Sequence, residues 1–278
     1  MAWVRSRWAL DLTEEEPQLG GLLHENTEVL KQQLADYLTT SQSERVKTHY
    51  PQIDNKWVVR RGKTMFILGS SGDGKSTFLN SLIYRMAKGG ENILYVSLEF
   101  SPKEIWEFLA FVHCFHYRKE FYLPSLGVWQ RGEAKQDDKV NMEKVIDDIK
   151  NRTHVKGVID VQRFWSLEEI QQHYEAHKES LRYSVVVVDY LGKLNVPPGR
   201  PADEINARNS NVSKAVKWTQ KEGKFVLISP SQVNREAHKE ARKSKEKEKG
   251  AYDLDAMYYG SAAQQDTDWR CLCIATMT

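Results

Sequence analysis

The feature that most limits the possible folds of this chain is a glycine-rich break between an apolar segment and an amphipathic one. The stretch FILGSSGDGKSTFLNSL, residues 66–82, places three glycines within six residues and follows them with a lysine and two hydroxyl side chains. Glycine allows backbone conformations that other residues avoid, so successive N–H groups can point into one small space. The pattern G-x-x-x-x-G-K-S predicts a phosphate-binding loop that joins a buried strand to a helix.

The chemistry expected of this loop depends on two side chains and on the helix that follows. Lys75 can reach the β- and γ-phosphates of a nucleotide, and the hydroxyl of Ser76 can bind Mg²⁺. The positive end of the helix dipole adds to the attraction for anions. We therefore predict a nucleoside triphosphate site formed by Gly69, Ser70, Ser71, Gly72, Asp73, Gly74, Lys75, Ser76 and Thr77.

Beyond Lys63 the chain alternates short apolar runs with longer amphipathic segments. Continuously apolar strands separated by helices are typical of a parallel sheet that is covered on both faces, which predicts the α/β class. The predicted strands are 64–69, 92–99, 156–162, 184–190, 224–229 and 269–277. The predicted helices are 75–88, 102–117, 138–152, 166–178 and about 203–221.

Polar side chains stand at the carboxyl ends of three further strands, which is where open α/β sheets bind ligands. Glu99 ends the second strand and can activate a water molecule for attack on the γ-phosphate. Asp189 follows four valines and can hold Mg²⁺. Gln232 follows the fifth strand and can sense the γ-phosphate. Alone, each also has a structural explanation: Glu99 caps a helix, Asp189 ends a strand, and Gln232 is an ordinary loop residue.

Taken together and in this order, these segments resemble RecA-like P-loop ATPases. The resemblance is strongest to DnaB-type hexameric replicative helicases of bacteria and their phages. The matching segments are VVRRGKTMFILGSSGDGKST, LYVSLEFSPKEI, SLEEIQQHYEAH with VVVVDYLGKL, NARNSNVSKAVKWTQKEGKFVLISPSQVNREA, and GSAAQQDTD. They cover about residues 57–278, nearly all of the chain that follows the proposed linker.

The resemblance implies an ATP-dependent helicase or single-stranded DNA translocase that acts in replication as a ring, most often a hexamer. ATP with Mg²⁺ then lies between neighbouring subunits, and single-stranded DNA passes through the centre. Two central loops correspond here to residues 192–208 and 233–259, and the second is rich in lysine and arginine. Such mobile cations suit contacts to a phosphate backbone of any sequence. The implied DNA contacts are Lys193, Arg200, Arg208, Arg235, Lys239, Arg242, Lys243 and Lys245.

Two other functions remain open from the sequence. In the family a basic residue beyond the last strand reaches the neighbour's ATP site, whereas Arg270 is the last arginine here and lies within the predicted strand. This departure favours the alternative of a RecA/RadA-like ATPase whose nucleotide controls DNA binding without unwinding. A signalling ATPase of the circadian-clock kinase type shares the core fold, but the charged second loop disfavours it.

Residues 1–43 differ from the rest of the chain, which predicts a division into an N-terminal segment and a core at 44–278. Helical spacing of apolar residues predicts an amphipathic helix within 20–40, which packs on its own domain or on a neighbouring subunit. Residues 41–57 are expected to be a linker. A net charge of +2 excludes a global basic field, so DNA binding needs local patches.

Composition also indicates the cellular compartment of the protein. Three cysteines at irregular positions are too few for a disulfide framework, which favours a reducing compartment. The sequence has no apolar run of about 18 residues, so no membrane association is expected. We predict a cytoplasmic protein, or one of the host cytoplasm if it is viral.

A smaller cluster, His113, Cys114 and His116, falls on one predicted helix. A zinc site is possible there, but the sequence shows no second pair of ligands, and an ordinary helix face is the favoured interpretation.

Overall fold

The core of the molecule is a six-stranded sheet in which every pairing is parallel. The computed structural model describes residues 31–32, 35, 44–55, 58–69, 72–117, 119–195, 201–232 and 270–273. The strands are β1 (Arg45–Val46), β2 (Val59–Arg60), β3 (Thr64–Gly69), β4 (Ile93–Ser97), β5 (Ile159–Gln162), β6 (Val185–Asp189), β7 (Val226–Gln232) and β8 (Arg270–Cys273). The helices are α1 (Pro51–Asp54), α2 (Lys75–Gly89), α3 (Pro102–His116), α4 (Leu126–Gln130), α5 (Gln136–Lys150), α6 (Leu167–Leu181) and α7 (Pro201–Glu222).

The strand order β5-β4-β6-β7-β3-β8 determines where a ligand can bind. The chain leaves β3 through α2 and reaches β4 only on the far side of β6 and β7. Because all the strands run in one direction, the carboxyl ends of β3, β4, β6 and β7 meet at one edge of the sheet. This arrangement gathers side chains that are distant in sequence.

Alternate residues of each strand enter two separate apolar layers, as expected for a sheet buried on both faces. In β3, Met65 and Ile67 pack with α2, α3 and α5, whereas Phe66 and Leu68 pack with α6 and α7. The four valines of β6 alternate in the same way. The predicted α/β class, with a parallel sheet covered on both faces, is confirmed.

The predicted strands and long helices agree with the structure to within a few residues at most ends. The last predicted strand, at 269–277, is described only at Arg270–Cys273. The linker predicted at 41–57 is wrong for residues 44–55. Val46 is fully buried and Ile53 is 6% exposed, so this segment is part of the core. Asp54 shapes the turn, because its carboxylate accepts hydrogen bonds from the N–H groups of Thr48 and His49, each at 2.9 Å.

Little of the N-terminal segment falls within the described residues. Lys31, Gln32 and Ala35, inside the predicted amphipathic helix, are helical and exposed. The remainder of that helix, and the second predicted central loop at 233–259, lie outside the described residues. Among the described residues, no helix is both long and apolar enough to cross a membrane.

Candidate nucleotide-binding site

A cleft of about 300 Å³ opens at the carboxyl edge of the sheet. This volume is at the lower end of the range for sites that bind small molecules. Its walls come from the carboxyl-terminal residues of β6 and β7, from Tyr190 after β6, and from the segments that follow β3 and β4. The residues that line it are Gly72, Gly74, Lys75, Ser76, Thr77, Glu99, Asp189, Tyr190, Pro230, Ser231 and Gln232.

The glycine loop enters this cleft with a backbone that only glycine adopts easily. Gly72 and Gly74 have φ angles of +86° and +81°, in the left-handed region. Gly74 precedes α2 and supplies no side-chain cap. By contrast, α3 and α6 each begin with a serine that caps the first turn. The first N–H groups of α2 therefore have no side-chain acceptor at Gly74, which suits an anion. Ser70 and Ser71 lie outside the described residues.

The Lys75 side chain folds back onto its own loop. Its Nζ donates a hydrogen bond of 2.9 Å to the carbonyl oxygen of Gly69. Burial lowers the pKa of Lys75, and the nearby carboxylates of Asp73, Glu99 and Asp189 oppose that shift. The amine thus lies among three acidic groups, at the point where a triphosphate would need a cation.

Asp189 ends β6 and brings a carboxylate to the floor of the cleft. Its side chain is almost fully buried, and its Oδ2 atom accepts no hydrogen bond from the described residues. Burial raises the pKa of Asp189 to about 7 and the neighbouring Glu99 contributes to the rise, against the opposing effects of Lys193 and Lys75. A buried carboxylate oxygen without a donor fits a divalent cation, and the Ser76 hydroxyl lines the same cleft.

Glu99 lies two residues beyond β4 and lines the cleft. Its side chain is 46% exposed, and its Oε1 atom lies 3.9 Å from Nζ of Lys193. Lys193 ends the 3₁₀ turn that follows β6. Lys193 was predicted as a DNA contact, and the structure places its amine beside Glu99, at the start of the first central loop.

Gln232 is the last residue of β7 and pairs in register with Gly69 of β3. This pairing places the exposed Gln232 amide next to the start of the glycine loop. Ser229, three residues earlier, is fully buried and donates a hydrogen bond of 2.8 Å to the carbonyl of Val188. The bond joins β6 to β7 just below Asp189, so the two strand ends are held together.

Several residues at this site were not predicted from the sequence. Tyr190, Pro230 and Ser231 line the cleft, and the Ser231 hydroxyl is buried with no hydrogen-bond partner among the described residues. Tyr95 on β4 is fully buried, and burial raises its pKa well above the usual value, with smaller effects from Asp189 and Glu99. The three cleft residues lie next to predicted strand ends, and that position could have identified them from the sequence. Tyr95 lies inside a strand, and nothing in the sequence indicated its relation to the site.

The other predicted DNA contacts are described only in part. Arg208 lies on α7 and is half-buried. The rest lie outside the described residues: Arg200, Arg235, Lys239, Arg242, Lys243 and Lys245.

Comparison with known proteins identifies the family. Residues 45–256 match the family model of the DnaB-like helicase C-terminal domain. The chain belongs to the DnaB-like helicase family. It is accordingly an ATP-dependent helicase of the replicative class, and it has a RecA-like ATPase fold. As a member of this family, the protein binds nucleotide, acts on DNA and oligomerises. The resemblance drawn from the sequence is confirmed.

Two solved structures share the DnaB-like fold of this chain. One, described as an ATPase domain, matches with a TM-score of 0.60 and 16% identity, over 88% of this chain and 82% of its own. A DnaB-like replicative helicase, solved to examine its interactions with primase, matches with a TM-score of 0.61 and 18% identity. That match covers 88% of this chain and 59% of the helicase chain. No curated protein matches the sequence.

Proposed function

We propose that this DnaB-like chain binds ATP with Mg²⁺ in the cleft and uses its hydrolysis to move along single-stranded DNA as a ring, with six subunits as the expected number. The observation that carries the proposal is the convergence of Lys75, Glu99 and Asp189 on one cleft at the carboxyl edge of the sheet. A triphosphate needs a cation at its β- and γ-phosphates, a metal ligand and a base for the attacking water, and the cleft offers a group for each.

The residues divide the chemistry among them. The N–H groups of the glycine loop and of the first turn of α2 hold the phosphates, and Lys75 exchanges its bond to Gly69 for the β- and γ-phosphate oxygens. Asp189 and Ser76 hold Mg²⁺, which when bound neutralises charge that develops on the phosphates. Glu99 orients a water molecule and accepts its proton.

Gln232 connects the nucleotide site to the part of the chain that follows β7. Its amide contacts the γ-phosphate and changes position when that phosphate leaves, since it stands beside Gly69 at the end of β7. The chain that follows Gln232 is the second predicted DNA loop. Lys193 provides a second connection, because it joins Glu99 to the start of the first loop.

We further propose that residues 44–278 form the motor core and that residues 1–43 form an N-terminal segment outside it. The ring places DNA in its centre, where the cations of the two loops contact the phosphate backbone. Arg208 on α7 and Lys193 are the described members of this predicted set.

A paired assay tests the proposal. ATP turnover is measured with and without single-stranded DNA, and strand separation is measured on a forked duplex with the same protein. We expect DNA to stimulate turnover and ATP to drive strand separation. DNA-stimulated turnover without separation would instead support the nucleotide-gated DNA-binding ATPase. A particle that stays monomeric with Mg²⁺, ATP and DNA would contradict the ring.

A further inference from the structure

Away from the nucleotide cleft, two histidines and an aspartate converge where α3 packs against α5. His113 lies near the end of α3, Asp148 near the end of α5, and His154 in the segment that follows α5. Oδ2 of Asp148 lies 3.2 Å from Nε2 of His113 and 2.9 Å from Nδ1 of His154. One possible ligand atom from each of the three residues lies within 4.8 Å of the other two, so two nitrogens and an oxygen can approach one ion.

The inner member of this cluster has an unsatisfied nitrogen. The His113 side chain is completely buried, and its Nε2 atom makes no hydrogen bond of acceptable geometry with the described residues. A buried polar atom of this kind is unfavourable unless a ligand occupies it.

The opposite nitrogen of each ring is held by a second group. Nδ1 of His113 lies 2.9 Å from the hydroxyl of Tyr84, and Nε2 of His154 lies 3.1 Å from a carboxylate oxygen of Glu120. Metal-binding histidines almost always make such a contact through the nitrogen that does not bind the metal, because it fixes the ring and its tautomer. The remaining nitrogen of each ring faces Asp148, and Nδ1 of His154 lies within hydrogen-bond distance of both its carboxylate oxygens, at 3.0 and 2.9 Å.

We propose that His113, Asp148 and His154 form a zinc site that ties the end of α3 to α5 and to the segment after α5. Two imidazole nitrogens and one carboxylate oxygen are ligands that Zn²⁺ accepts, whereas Mg²⁺ and Ca²⁺ prefer oxygen alone. Ligands of a tetrahedral zinc ion lie about 3.3 Å apart. The separations of 2.9 and 3.2 Å from Asp148 are close to that value. Water completes the fourth position.

A second histidine–aspartate cluster provides the contrast. Asp160 accepts hydrogen bonds from the side chains of Tyr183, His173 and Gln162 at 2.5, 2.7 and 2.6 Å. Three neighbouring side chains thus occupy the Asp160 carboxylate, and within the described part of the chain a single histidine nitrogen contacts it. That cluster is a closed hydrogen-bond network, so His173 serves as a matched control for the histidines of the proposed zinc site.

The proposed ion is structural. It binds on the side of α3 remote from Glu99, because α3 begins at Pro102, three residues after Glu99, and His113 is at the other end. Zinc would stabilise the packing of α3 on α5 without contacting the nucleotide cleft. Removal of the zinc ion should lower the melting temperature of the chain and leave the affinity for ATP nearly unchanged.

The test is a zinc titration of the full chain after any affinity tag has been removed and bound metal stripped by a chelator. Excess Mg²⁺ is present throughout, so that the carboxylates of the nucleotide cleft do not take up zinc. We expect one Zn²⁺ per chain and a rise in melting temperature on binding. Co²⁺ in place of Zn²⁺ should give the visible absorption bands of a tetrahedral site with nitrogen and oxygen ligands. Failure of the wild-type chain to bind a full equivalent of zinc would overturn the proposal.

Three variants locate the ion. His154→Gln changes a partly exposed ring, and Asp148→Asn removes the central ligand charge; each should weaken zinc binding by more than about 100-fold. His173→Gln should leave zinc affinity unchanged. Circular dichroism before the titration establishes that each variant is folded. Equal zinc affinity in wild type and His154→Gln would show that the ion binds elsewhere, and the proposal would then be wrong.

Discussion

At the scale of single residues, the buried carboxylate of Asp189 is the most informative group in the molecule. It lies 1% exposed beside another acidic side chain, and its pKa is raised to about 7. Such a group is unfavourable for the protein without ligand and favourable once a divalent cation is bound. A site of this kind exchanges some stability of the empty protein for affinity toward its ligand.

Asp189→Asn should therefore stabilise the chain without nucleotide, in a pH-dependent way. The folded-state pKa of Asp189 lies above its unfolded value, so its ionisation penalty is absent below about pH 4 and is complete above about pH 7. At about pH 8.5 the variant should gain on the order of 2–4 kcal/mol in unfolding free energy, and near pH 4 almost none. Denaturation followed across this pH range measures the difference.

Asp160→Asn is the matched control. Burial alone would raise the pKa of Asp160, but hydrogen bonds from Tyr183, His173 and Gln162 lower it overall. Loss of that charge should destabilise the protein, the opposite of the change at Asp189. If Asp189→Asn were destabilising to the same degree at about pH 5 and pH 8.5, the buried unpaired charge would not be the dominant effect.

A separate prediction at the residue scale concerns the role of Glu99 in ATP hydrolysis. Glu99→Gln keeps the size of the side chain and removes its ability to accept a proton. ATP turnover should fall by at least about 100-fold while ATP binding persists. Glu143→Gln, on an exposed position of α5, is the control and should leave both unchanged. Hydrolysis and equilibrium nucleotide binding are measured on the same preparations, and a joint loss of both would assign Glu99 to binding.

At the scale of elements, α3 and α6 begin in the same way but differ in what they adjoin. Ser101 accepts a hydrogen bond from the N–H of Glu104, and the Glu104 carboxylate accepts one from the N–H of Ser101. Ser166 and Glu169 form the same reciprocal pair at the start of α6. Only the first pair lies next to Glu99, so the start of α3 also positions a residue of the cleft.

Removal of either serine should cost similar stability but have different effects on turnover. Ser101→Ala and Ser166→Ala should each lower the unfolding free energy by about 1 kcal/mol. ATP turnover should fall only in Ser101→Ala, because Glu99 then loses its fixed position. Denaturation curves and steady-state hydrolysis of the two variants provide the comparison. Equal turnover in both would show that the cap of α3 does not help to place Glu99.

Elements also show where sequence analysis succeeded. Strands such as β3 and β6 were predicted closely because a strand buried on both faces is continuously apolar. The segment around Val46 was taken for a linker because its few buried residues are separated by polar ones. Their burial depends on the Asp54 turn and on packing against distant elements, and neither leaves a periodic pattern in the sequence.

At the scale of the whole molecule, the candidate nucleotide site was predictable because parallel strands deliver their carboxyl ends to one edge. That rule alone predicts that the cleft brings together Lys75, Glu99 and Asp189. The cluster at His113 was not predictable in this way. Asp148 and His154 lie more than thirty residues away in sequence, and only the packing of α3 on α5 brings them to it.

In the proposed function, one cleft at the sheet edge binds the triphosphate that powers this DnaB-like chain. Equilibrium binding of a fluorescent ATP analogue with Mg²⁺ tests it most directly, with wild type, Lys75→Ala and Lys103→Ala compared. Lys103 is the control because its side chain is 85% exposed on α3. We expect Lys75→Ala to weaken binding by at least about 100-fold, the loss of a buried charge–phosphate contact, and Lys103→Ala to bind as wild type. Undiminished binding by a folded Lys75→Ala variant would contradict the account.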